Sequence, residues 1–228
     1  MSVISVKNLI KKFKIGSNEQ TVLNDISFEI NEGDFVSIMG PSGCGKSTLL
    51  YLLGGLDKPT SGSILINNKE LSTIKEKEMS SIRRNEMGFV FQFYNLVPNL
   101  SVEDNIMLPI VLDNKKPKDY EEKLQELLEI TGLTEKRKMK PQELSGGQQQ
   151  RVAIARALIF NPLIILADEP IGNLDSKTGT TVMELFREIN KKYNTTIVQV
   201  THSLESAQYG NRIINFKDGK IVSNEEHI

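Results

Sequence analysis

The chain has 228 residues, 39% of them hydrophobic and 25% charged, enough apolar mass for a real core in one large domain or two tightly joined lobes. Lys plus Arg number 28 against 29 Asp plus Glu, a net charge of -1 that supplies no electrostatic footprint for nonspecific nucleic-acid binding, so no nucleic-acid partner is expected. No apolar stretch approaches the roughly 20 residues of a membrane-spanning helix. Lys7, Lys11 and Lys12 stand where a signal peptide needs its apolar run, and the lone Cys44 has no intrachain disulfide partner. A soluble protein of a reducing compartment is expected.

Along the chain, Ile26, Phe28 and Ile30 alternate with Ser27 and Glu29, a period of two that predicts a half-buried strand ending at the turn residues Asn31 to Asp34. Phe35 to Met39 is a short apolar strand, followed by the glycine-rich run Gly40 to Thr48 and a helical Leu49 to Leu53. Ser63 to Asn67 and Gly88 to Phe91 read as further strands. From about Phe93 to Pro141 the pattern turns helical. Ser101 to Asp104 reads as a capping box, and Tyr120, Leu124, Leu127 and Leu128 form one apolar face with Gly132 just past its end. A helix-like run covers Gln149 to Ile159. Beyond the breaker Asn161-Pro162 come a strand at Leu163 to Ala167, a helix from about Ser176 to Tyr193, a strand at Thr195 to Val200 and a hairpin around Asp218-Gly219. The whole predicts one α/β core with parallel strands, an antiparallel flank and a helical lobe.

Three motifs carry chemistry. Gly40, Pro41, Ser42, Gly43, Cys44, Gly45, Lys46, Ser47 and Thr48 fit G-x-x-x-x-G-K-[ST] between a strand and a helix. Glycines let backbone N–H groups curl around phosphate oxygens, Lys46 would reach the β- and γ-phosphates, and the Ser47 hydroxyl would take one position on Mg²⁺. The strand Leu163 to Ala167 ends in Asp168 and Glu169, two like charges against a core strand that need compensation. A magnesium ion compensates for Asp168, and Glu169 becomes the candidate to orient and deprotonate a water; the alternative is a charged strand end turning into solvent. Ser145, Gly146, Gly147 and Gln148, after Leu144, place a hydroxyl and two glycines at a helix start, either a second anion cradle or simply a cap and its turn.

Taken together, the glycine loop, Gln92, Leu144 to Gln148, the run ending Asp168-Glu169, Gly172 to Asp175 and His202 resemble the nucleotide-binding subunit of an ABC transporter. The motifs stand in that family's order over essentially the whole chain. Leu53 to Asp57, Gly88 to Gln92 and Ala167 to Pro170 resemble its MacB/LolD branch, which serves lipoprotein release, macrolide and peptide efflux and antimicrobial-peptide resistance.

The resemblance implies a P-loop NTPase (RecA-like) core with an antiparallel β flank, 1–92 and 161–228, and a helical subdomain at about 93–160, together one domain. It implies ATP and Mg²⁺ as cofactors, with Ser47, Gln92 and Asp168 at the metal. Glu169, His202 and Gln92 would be catalytic. Ser145 to Gln148 would contact the γ-phosphate held by a second copy, and Asp175 would belong to the D-loop. Phe13 falls where the family stacks an aromatic on adenine, though it could equally be a core residue. Cys44 replaces the family's usual small residue, and Ile171 stands where the branch often has Thr.

The implied protein is an ATP-hydrolysing subunit that forms a homodimer on ATP. It would work beneath a separate integral membrane permease, peripheral on the cytoplasmic face of the membrane, with Asn95 to Leu100 as a docking segment. The rivals fit less well. A chromosome-maintenance ATPase needs long coiled-coil insertions or a DNA-binding surface, a P-loop kinase leaves Leu144 to Gln148 unexplained, and a binding module without turnover does not need Lys46, Asp168, Glu169 and His202 together.

Overall fold

The computed structural model describes residues 2–226; His227, to which the sequence assigns no role, lies outside them. In chain order the first half comprises β1 (Ser2–Ile15), β2 (Asn18–Asn31), β3 (Phe35–Met39), α1 (Lys46–Leu53), β4 (Ser61–Ile66), β5 (Lys69–Glu70), α2 (Glu76–Asn85), β6 (Met87–Phe91) and α3 (Val102–Leu112). The second half comprises α4 (Glu121–Ile130), α5 (Gly146–Leu158), β7 (Ile164–Asp168), α6 (Ser176–Tyr193), β8 (Thr196–Thr201), α7 (Leu204–Ala207), β9 (Arg212–Lys217) and β10 (Lys220–Glu226). No helix among the described residues is long and apolar enough to cross a membrane.

The strands form two sheets. One is antiparallel, in the order β2-β1-β4-β5; the other has six strands in the order β10-β9-β3-β8-β7-β6, parallel from β9 to β6 with β10 antiparallel at the edge. The parallel strands read as continuous apolar runs because both faces of their sheet are covered. Alternate residues then serve opposite cores: Ile164 and Leu166 of β7, with Val198 and Val200 of β8, join the cluster of α1 and the antiparallel sheet. Ile165, Ala167 and Ile197 join the cluster of α3, α4, α5 and α6. Each fully buried aliphatic side chain contributes about 1.5–3 kcal/mol, so every strand of this sheet ties two layers together.

The register fixes where a ligand can sit. Phe91 pairs with Asp168, Asp168 with Val200, and Met39 with Thr201, so the C-terminal ends of β6, β7, β8 and β3 share one rim. That rim is where parallel α/β sheets place their ligands.

Several boundaries differ from the sequence expectation, and α2 and the short β5 and α7 are additional to it. The strand expected at Ile26 to Ile30 is the buried half of the longer β2, whose exposed first half pairs with β1 in a hairpin carrying register shifts. Helix α2 has no counterpart in the pattern, since only Met79 and Ile82 of its residues are buried. The Ser101 capping box is present, with Asp104 as its second member. Helix α5 begins earlier than the pattern suggests because Ser145 caps it.

Candidate active site

The loop Gly40 to Thr48 joins the central strand β3 to α1 at the rim. Gly45 has φ +104, and a Cβ there would lie 2.8 Å from Leu23 Cδ2, so conformation and space both require glycine. Lys46 is only 6% exposed. Its Nζ donates to the carbonyls of Gly40 at 2.8 Å and Pro41 at 2.9 Å, so two of its three ammonium protons hold the loop's own backbone. The Cys44 thiol is buried at the base of the loop.

Asp168 ends β7 beside this loop, and both of its carboxylate oxygens are engaged. Ser47 Oγ donates to Oδ1 and the Tyr51 hydroxyl donates to Oδ2, each at 2.9 Å. Burial, and then the Asp168 carboxylate, push the Tyr51 phenol above its ordinary range, so the hydroxyl stays a protonated donor. No cluster of three or more His, Cys, Asp or Glu side chains able to hold a metal exists among the described residues. A hydroxyl beside one carboxylate still fits Mg²⁺, which keeps several waters and is completed by phosphate oxygens.

Glu169 follows with φ +46, a left-handed backbone that is costly for a non-glycine residue and is fixed by its N–H donating to Val200 O at 3.0 Å. Its carboxylate Oε1 lies 3.0 Å from His202 Nδ1. The structure thus brings together Lys46, Ser47, Asp168, Glu169 and His202 at the ends of β3, β7 and β8. Gln92, one residue beyond β6, is engaged elsewhere: its Nε2 donates to Asn173 Oδ1 at 3.2 Å, and Asn173 Nδ2 donates back to Gln92 O at 3.1 Å. That reciprocal pair links the end of β6 to the segment after Glu169.

Ser145 to Gln148 does form a cap. Ser145 Oγ accepts from Gln148 N at 3.4 Å and Gln148 Oε1 accepts from Ser145 N at 2.9 Å. The glycines have a packing reason as well: a Cβ on Gly147 would lie 2.1 Å from Thr178 Cγ2. Thr178 is held there by Asp175, which caps α6 by accepting from Thr178 N at 3.0 Å and Thr178 Oγ1 at 2.6 Å. Gly147→Ala is therefore expected to lower the unfolding free energy by about 1–3 kcal/mol through overpacking. Adding Thr178→Ser, which deletes the clashing methyl and keeps the hydroxyl, should restore most of it; paired urea titrations read both.

Two more residues of α5 were not singled out by sequence. Gln150, fully buried, donates to Pro170 O at 2.6 Å. Arg156 donates to Tyr94 O at 2.8 Å and Asn95 O at 2.6 Å, and burial lowers its pKa. It thereby secures two residues with positive φ. Phe13 is 39% exposed rather than a core residue, with Lys11 Nζ 4.7 Å from its ring centroid. In the segment Asn95 to Leu100, Leu96 packs into the second core while Val97 is exposed.

Residues 23–172 match the family model described as ABC transporter. The chain belongs to the ABC transporter family. An ABC transporter ATP-binding protein of Thermotoga maritima is 45% identical over 219 residues, covering 96% of this chain and 93% of its own. The ABC transporter ATP-binding protein MJ0796 of Methanocaldococcus jannaschii is 46% identical over 228 residues, covering 98% and 97%. This ABC ATPase superimposes on the dimeric structure of the ATP-binding cassette MJ0796 in a post-hydrolysis state bound to ADP and Pi, with a TM-score of 0.89, 44% identity and 98% of each chain covered. It matches cbiO1 of Clostridium perfringens, part of the ABC transporter complex cbiONQ, with a TM-score of 0.89 at 28% identity, covering 99% of this chain and 88% of that one. The ABC ATPase is thus an ATP-binding subunit that hydrolyses ATP.

Proposed function

We propose that two copies of this ABC ATPase, facing head to tail, hydrolyse ATP beneath a separate membrane permease of the MacB/LolD-like branch. The work would be export or mechanical release of a lipoprotein, peptide or drug-like cargo, with the subunit peripheral on the cytoplasmic face of the membrane. We read residues 1–228 as one ABC domain whose helical subdomain is about 93–160.

The observation that carries this reading is the placement of two glycine-lined helix starts in one chain. Gly40 to Thr48 follows the central β3, whereas the helix capped by Ser145 packs on α3 and the edge strand β6. Only the first has the catalytic carboxylates beside it. A two-fold pair lets the second face the nucleotide of a partner, an isologous arrangement. The dimeric structures of MJ0796 support the pairing.

In such a pair the backbone N–H groups of Gly40 to Thr48 cradle the phosphates and Lys46 neutralises the β- and γ-oxygens. Phe13 offers its exposed ring to adenine. Ser47 and Asp168, with Gln92 approaching from β6, would hold Mg²⁺, whose positive charge would offset the negative charge on the phosphate oxygens. Glu169 orients a water in line with the γ-phosphorus and accepts its proton, while His202 holds Glu169 in place and lies within reach of the γ-phosphate. Ser145, Gly146, Gly147 and Gln148 of one copy close over the γ-phosphate of the other, and Asp175 sits beside that contact through Thr178. For the permease, an apolar groove lined by Phe89, Phe91, Pro109, Leu112 and Phe160 is the docking surface, with Asn95 of the segment Asn95 to Leu100 on its wall.

The test is size-exclusion chromatography with light scattering on Glu169→Gln, which keeps shape and hydrogen bonding but removes the base. With ATP it is expected to run as a dimer and with ADP as a monomer, because ATP binds the closed pair better than the open one. Adding Ser145→Arg should abolish the dimer and leave nucleotide binding intact. A monomer under saturating ATP, with or without permease, sinks the reading.

A further inference from the structure

The mechanism gives no role to Tyr51, although its hydroxyl donates to Asp168 Oδ2 at 2.9 Å. Ser47 and Tyr51 stand four residues apart on α1, so their side chains leave the same face of the helix one turn apart. One hydroxyl takes Oδ1 and the other Oδ2. A carboxylate held by a single donor keeps a broad terminal torsion; one pinned at both oxygens by two donors on one rigid helix has its plane set. An ionised carboxylate offers about four lone-pair sites, so two donors leave acceptor capacity for a metal or its waters.

Packing does not account for the phenol. Tyr51 is 36% exposed, and a phenylalanine would cover the same apolar surface without the hydroxyl. The donor also answers an electrostatic need, because Asp168 and Glu169 are adjacent carboxylates at the end of a buried strand.

We propose that Tyr51 is a positioning residue for the magnesium carboxylate, fixing the orientation of Asp168 so that metal and nucleotide meet a preformed acceptor. The inference rests on the magnesium role proposed for Asp168 above. Outer partners that orient a metal ligand typically change metal affinity by about 10- to 100-fold when removed.

The experiment measures ADP affinity by calorimetry with saturating Mg²⁺ and again in EDTA; ADP avoids turnover. The ratio of the two dissociation constants isolates the coupling between metal and nucleotide. Tyr51→Phe is expected to shrink that ratio by about tenfold while leaving the constant in EDTA unchanged, a split that general loosening of the site would not produce. Asp168→Asn should shrink it at least as much. A ratio unchanged or enlarged in Tyr51→Phe while Asp168→Asn lowers it overturns the role of Tyr51 alone. A ratio unchanged in both variants overturns the magnesium assignment and this proposal with it.

Discussion

Lys46→Ala is expected to abolish ATP turnover and to weaken ATP binding by more than tenfold in a fluorescent-nucleotide titration. The Lys46 ammonium has a structural role as well as a charge. It is nearly buried and bound to the carbonyls of Gly40 and Pro41, inside the loop itself. Hydrogen bonds to a charged group contribute about 1.5–3 kcal/mol each, and 1.4 kcal/mol is already a factor of ten. Alanine removes the cation proposed to neutralise the phosphates and also the strut that closes the loop on itself. Lys46→Arg tests the geometry separately. The charge survives, but a planar guanidinium cannot replace a compact ammonium between two carbonyls, so turnover should stay low. Wild-type turnover in purified Lys46→Ala would falsify the assignment.

Glu169→Gln should lower the single-turnover rate by about two to four orders of magnitude, the usual worth of a positioned general base, with little change in ATP affinity. Glu169 has a second property that makes a companion variant informative. Its backbone has φ +46, a conformation glycine adopts without penalty. Glu169→Gly should therefore be as inactive as the glutamine variant yet melt no lower than wild type, and chemical denaturation should place it about 1 kcal/mol more stable. Stability rising as activity vanishes marks a backbone held under strain to aim a side chain. A destabilised glycine variant would mean that the carboxylate's contact with His202 outweighs the strain.

Legibility in the sequence followed from the range of the interactions involved. Strands β3 and β7 were readable because burial on both faces leaves unbroken apolar runs. Helix α6 was readable because Asp175 caps one end and a left-handed Asn194 closes the other. Helix α2 was not, since its few buried residues imitate a charged loop. The first half of β2 leaves no sequence signal for a related reason: its exposed residues answer to pairing with β1 rather than to a core. In the site, Lys46, Ser47 and Asp168 were legible because motif spacing encodes them. Tyr51 carried a readable signal, a hydroxyl four residues after Ser47 on one helix, but nothing local says that a carboxylate more than a hundred positions away will face it. Asn173, Gln150 and Arg156 act through contacts between distant segments, which no periodicity records. Gln92 is expected at the metal; its Nε2 donates to Asn173 Oδ1, which leaves its Oε1, the atom a metal would take, outside that pair.

Helix α5 is capped by Ser145 at one end and holds the carbonyls of Tyr94 and Asn95 through Arg156 near the other. At 1.5 Å per residue these two points lie about 16 Å apart along the axis, and a helix packed on both sides scarcely compresses. Such a rod cannot keep a secret between its ends. A displacement of the cap would pass along the helix to the loop after β6, which Arg156 holds and which borders the apolar groove through Asn95. Nucleotide closing against the cap would therefore be felt in the groove as displacement rather than as a chemical signal, and whatever rests there would be moved by the same stroke.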